Sequence, residues 1–131
     1  MKKLTANRII ELYHIGLALW WGLCLVFPFN TFKYSAYAAM ANLAPEAAWG
    51  AFALFIACGQ TLMLFGKFKK LQPIGLAIAS FFWTFIACMF LVNDLNTGQF
   101  STGSGTYLLV SLMIFWLSSS NGGGKDEHNT C

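Results

Sequence analysis

Residues 67–70 read Lys67-Phe68-Lys69-Lys70, a short basic hinge between two long apolar runs, Ala47 to Gly66 and Pro73 to Val92. Each run holds 20 residues without a charge. At ~1.5 Å of rise per residue such a helix is ~30 Å long, the thickness of a bilayer's hydrocarbon core. The hinge is therefore expected to join two membrane-spanning helices. Lys67, Lys69 and Lys70 on so short a connection place it on the cytoplasmic side, where basic loops are retained.

Composition extends this reading to the whole chain, which is 57% hydrophobic, 17% aromatic and 10% charged, whereas a soluble domain carries about 25% charged residues. The expected class is all-α: a polytopic membrane protein with one transmembrane domain over residues 1–120 and a flexible tail over 121–131. That length leaves no room for a soluble catalytic domain beside the spans. The net charge of +3 sits at the ends of apolar runs, where it reads as topology and headgroup contact. A nucleic-acid partner would need a continuous basic face, so none is expected.

Lys2, Lys3 and Arg8 precede an apolar segment that superficially resembles a secretory signal. It continues through Trp20, Trp21 and Phe27 without a small-residue cleavage site, which suits a retained first span over Ile9 to Phe27. Glu11 and His14 lie three apart on one face near its start. An ionisable residue within a span is a functional hypothesis by default. Within the first two turns, however, both side chains can reach headgroups, so the pair is expected at the interface, ahead of a proton-site reading.

Pro28 to Pro45, with Lys33, Tyr34 and Tyr37, suits an irregular or briefly helical segment lying at the outer interface. Pro45 and Glu46 then open the second span: proline fits a first helical turn and a carboxylate fits the positive end of the dipole. In that span Ala53 and Ala57 lead to Gln60 and Thr61; in the third, Ser80, Thr84 and Cys88 recur every four residues. Small and hydroxyl-bearing side chains at this period let helices approach closely, and the two stripes are expected to face each other. Gln60 is read as a packing element, with a transport or gating role as the sharper alternative.

Asn93 to Gly105, rich in Gly, Ser, Thr and Asn, reads as an exposed outer loop. A fourth span has a strongly apolar core only from Tyr107 to Leu117, and 18 residues when extended over Gly103 to Ser120, near the lower limit. With four spans, seven Lys and Arg fall on one side against Lys33 alone on the other. That bias predicts an antiparallel four-helix bundle with both termini and the hinge in the cytoplasm.

A search for chemistry is negative. Cys24, Cys58 and Cys88 fall in three different spans and no CxxC occurs; Cys131 completes no prenylation box. His14 and His128 have no ligand-spaced partner, and Gly98, Gly103 and Gly105 do not make a phosphate loop. Trp20, Trp21 and Trp83 lie toward mid-span and read as helix packing. No catalytic residue, metal or cofactor is expected.

Trp49-Gly50, the mid-span Gly59, the basic hinge followed by Pro73, Phe82-Trp83, and Ser101-Thr102-Gly103 with Tyr107 resemble a group of uncharacterised small four-span membrane proteins encoded by tailed phages and prophages. The similarity covers roughly Trp49 to Trp116. Where that group often carries arginine in the hinge, this chain has lysines alone. The resemblance implies a viral protein acting in the bacterial inner membrane, with the lipid bilayer as its environment and a homo-oligomer or a larger complex as its partner. The expected function is non-enzymatic, either holin-like permeabilisation or phage exclusion. An accessory subunit comes next and a small proton-coupled exporter last, because Glu11 sits near the cytoplasmic end of its span.

Overall fold

The computed structural model describes residues 6–27, 30–66 and 68–122. The described residues are helical throughout, without a strand: α1 (Ala6–Val26), α2 (Ala38–Ala41), α3 (Glu46–Phe65), α4 (Gln72–Thr97) and α5 (Thr102–Gly122), with short 3-10 turns between them. Three of these, α1, α3 and α4, are long and apolar enough to cross a membrane. With 21 residues α5 has the length as well, but its Ser, Thr and Gly content leaves it less apolar. Of the hinge lysines, Lys67 lies outside the described residues, Lys69 opens a 3-10 turn and Lys70 is exposed. The expected flexible tail lies outside the described residues beyond Gly122.

The helices pair as two tight hairpins, α1 with α3 and α4 with α5. Glycine decides the first pairing. A Cβ at Gly50 would lie 2.9 Å from the Gly22 carbonyl oxygen and 2.9 Å from Leu25 Cβ, so the two backbones touch where neither carries a side chain. In the second hairpin Ser80 Oγ donates to Ser111 O at 3.2 Å, Ser111 Oγ donates back to Ser80 O at 3.1 Å, and Thr84 bonds the Ser111 hydroxyl. Near the turn the ring of Phe90 lies against Gly103.

The two small-residue stripes therefore do not face each other, which corrects the expected packing. Ala53 and Ala57 are fully buried between Gly50 and Gln60, at spacings that keep all four on one helix face. That face meets α1, through Gly22 at one end and His14 at the other. Ser80 and Thr84 face α5 instead, Thr61 bonds back to Ala57 of its own helix, and Cys88 is exposed. A stripe announces that a helix can be approached closely; it does not say by which neighbour.

The expected loop from Asn93 to Gly105 is also corrected. Helix α4 runs on to Thr97 and α5 begins at Thr102. Thr97 Oγ1 donates to Asn93 O at 2.9 Å, so the hydroxyl is satisfied within the last turn of the helix and does not compete for it as a loop residue would. Gly98 then stops it with φ 67°, the left-handed position that glycine adopts without a Cβ penalty. Asp94 ends up 1% exposed and accepts from Ser101 Oγ at 3.1 Å, holding the tight turn closed.

The segment between α1 and α3 is tied down by the residue that opens α3. Glu46 Oε1 accepts from the Thr31 N–H at 2.8 Å, its second oxygen accepts more weakly from Phe32, and Trp49 Nε1 donates to Met40 O at 3.3 Å. Tyr37 stacks on Phe32 and meets Phe90 edge-on. Burial there pushes its phenol above the ordinary tyrosine value.

Candidate functional site

The two hairpins meet over a joint built from aromatic rings and one polar cluster. Trp21 of α1 contacts Phe82 and Trp83 of α4 and Tyr107 of α5, with centroids 5.7 to 6.2 Å apart. Trp83 stacks on Tyr107 at 5.4 Å with the planes only 10° apart. Trp20 points outward and is exposed. Trp21 and Trp83 are thus packing elements, and their packing is what joins the halves, whereas the exposure of Trp20 corrects its expected place in the helix packing.

Beside the rings lies the polar cluster. Glu11 is 4% exposed and His14 2% exposed, so the expected interfacial pair is corrected: both side chains turn into the bundle. The spacing of three residues does place them on one face of α1, but that face is the one α3 and α4 cover. Gln72 Nε2, at the first residue of α4, donates to Glu11 Oε1 at 2.5 Å. His14 Nδ1 lies 2.7 Å from Gln60 Oε1, and Trp83 Nε1 donates to His14 Nε2. Gln60 itself is 7% exposed. Three helices from both hairpins therefore supply one cluster.

The protonation pattern follows from what each group is able to donate. An indole nitrogen is a donor only, so His14 Nε2 must accept and carries no proton. The imidazole proton then sits on Nδ1 and is donated to Gln60, which has to present its amide oxygen. Gln60 Nε2 is consequently turned away from His14, and it is buried without a hydrogen-bond partner. The cluster accommodates the neutral imidazole; a second proton, on Nε2, would oppose the Trp83 N–H donor to donor.

In lipid such groups cannot fall back on water, and an interhelical hydrogen bond contributes about 0.6–2 kcal/mol. The cluster's bonds cross from α1/α3 to α4/α5 at Glu11–Gln72 and His14–Trp83. Its bonds thus act as a latch between the two hairpins.

Sequence reasoning singled out Glu11 and His14 as a pair and Gln60 apart from them, and missed Gln72 and Trp83 as their partners. Gln72 reads as part of the basic hinge and Trp83 as apolar packing. A cue was available: Gln72 and Gln60 are polar residues near the same ends of consecutive spans as Glu11 and His14. Among the described residues no three His, Cys, Asp or Glu side chains converge as a metal site requires.

Comparison with known proteins finds no family model that matches the chain, and no curated protein or solved structure of significant likeness.

Proposed function

We propose that this is a non-enzymatic protein of phage or prophage type acting in a bacterial inner membrane, and that it permeabilises that membrane as a holin does. Four helices would span the bilayer, α5 included, with the hinge and both chain ends on the cytoplasmic side. The lysine bias supports that orientation. The observation that carries the functional reading is the placement of polarity: the joint between hairpins buries Glu11, His14 and Gln60 and half-buries Gln72, while Phe55, Phe81, Leu109 and Trp116 are turned outward and exposed. Parting the hairpins in lipid would strand those polar groups at a cost of several kcal/mol. The cost is relieved when several copies turn the uncovered faces toward a shared aqueous lumen.

Two measurements test this. In a background without native thiols, a cysteine at Gly98 is expected to react with an impermeant reagent from outside and one at Phe68 is not; the opposite pattern overturns the orientation, and equal reactivity at both overturns the span count. For function, induced expression in a bacterial host is expected to collapse membrane potential abruptly and let a co-expressed endolysin reach the wall. Cysteines replacing the stacked Trp49 and Phe85, whose ring centroids lie 5.9 Å apart across the joint, are expected to block the collapse when joined by a reducible bis-thiol crosslinker and to restore it when the linker is reduced. Unchanged potential at verified membrane expression removes the permeabilising role and leaves exclusion or an accessory subunit.

The buried position of Glu11 favours one second reading, a proton-coupled exporter. That reading predicts a lasting tolerance to cationic dyes that Glu11→Gln abolishes, without any collapse of potential.

A further inference from the structure

Between Glu11, Ile15, Gln60, Met63, Gln72 and Leu76 lies a cavity with about 10 Å³ of room for the centre of a water-sized sphere, close to the ~10–15 Å³ that one water needs. Gln60 Nε2 is fully buried and has no hydrogen-bond partner, although its amide oxygen is well bonded. Its orientation is not arbitrary. Trp83 compels His14 Nε2 to accept, His14 Nδ1 therefore donates, and only the oxygen of Gln60 can receive that proton, which leaves the NH₂ group on the cavity side.

From this geometry we infer that one water molecule is a structural part of the cluster, bound in this cavity and accepting a hydrogen bond from Gln60 Nε2. The donor and acceptor set selects it over other small ligands. An amide NH₂ repels a cation, the Glu11 carboxylate in the same lining repels an anion, and nothing larger fits. A water accepts from Gln60 and donates to the carboxylate oxygens of Glu11 or the amide oxygen of Gln72, giving it the two to four polar partners that buried waters have. A buried NH₂ left without a partner would otherwise cost about 1–3 kcal/mol.

The consequence is structural continuity. Trp83, His14 and Gln60 form one oriented chain and Gln72 with Glu11 another; the water joins them, so the latch is a single network spanning three helices. This site does not depend on the permeabilising role, because it belongs to the closed, resting bundle.

The test uses the full chain in liposomes, with ¹⁵N-labelled glutamine and solid-state NMR transfer of magnetisation from water to side-chain amides. The chain has three glutamines, Gln60, Gln72 and Gln99, and each amide is assigned through its own backbone, so no substitution in the cluster is needed. Gln99 is exposed beside the α4–α5 turn and serves as the reference for bulk water. The expected result is transfer to the Gln60 amide that survives an impermeant gadolinium chelate, while the transfer to Gln99 is lost. Absence of transfer to Gln60 overturns the site. Transfer to Gln60 that disappears together with that to Gln99 overturns it too, since the amide would then face bulk water.

Discussion

Trp83→Ala is expected to destabilise the bundle by about 3 kcal/mol or more, measured as unfolding in mixed micelles, and to loosen the hairpins from each other before either one opens. Removing a buried tryptophan costs about 3–5 kcal/mol in water-soluble cores, part of it transfer from water and part the void left behind. Between helices in lipid the transfer part falls away, because lipid is as apolar as the core. The void remains. Trp83 is fully buried, stacked on Tyr107 and edge-on to Trp21 and Phe82, so its loss removes contacts from both hairpins at once. Trp83→Phe separates the two contributions. It keeps a ring against Tyr107 but leaves His14 Nε2 without its donor, and a loss of about 1–2 kcal/mol is expected on the scale of one interhelical bond. Equal stability of Trp83→Ala and wild type would refute the joint as described.

Gly50→Leu is expected to have an effect of comparable size by the opposite route, overfilling in place of a void. Even the first carbon of a side chain at this position meets backbone of α1 and the Leu25 side chain at 2.9 Å or less, and a carbonyl oxygen cannot rotate away as a side-chain tip can. Overpacking of this kind costs about 1–3 kcal/mol for modest additions, and a leucine adds three more carbons where the first already clashes. The helices must part at Gly22, and because α1 and α3 are rigid, the shift reaches the His14–Gln60 bond at the far end of the same interface. Gly59→Ala is the control. Nothing lies within 4 Å of a Cβ there, so replacing glycine by alanine in mid-helix is expected to be neutral or to stabilise by up to about 0.5–1 kcal/mol. If Gly50→Leu behaves like Gly59→Ala in resistance to unfolding by detergent, the close α1–α3 approach is refuted.

How much of this was legible without coordinates depends on whether a property is carried by one segment or by two. Helix class and the membrane-length runs belong to single segments: 20 uncharged residues on either side of the hinge, and Pro45-Glu46 and Pro73 at the helix starts, state their structure locally, because backbone hydrogen bonds in a helix close within four residues. The side on which Glu11 and His14 lie was equally readable from their spacing. What that side meets was not. The same two residues suit a headgroup or a bundle interior, and only the positions of Gln72 and Trp83, 61 and 69 residues further along the chain, decide between them. The stripes carry the same lesson: alanine and glycine on α3 admit any close neighbour, and the coincidence of Gly22 with Gly50 selects α1. At the α4–α5 turn, composition pointed the wrong way, since Asn, Thr and Ser serve loops and helix ends alike until Gly98 and the Asp94–Ser101 bond show where the chain reverses. Sequence by itself therefore determined the helical class, the approximate place of the four long helices and which faces are polar or small, while the end of α4 and the start of α5 were decided by the turn between them. Tertiary structure alone decided which faces touch, because a contact is a property of two distant stretches, and in an apolar surrounding the pairing rests on close fit and satisfied hydrogen bonds that no single stretch encodes.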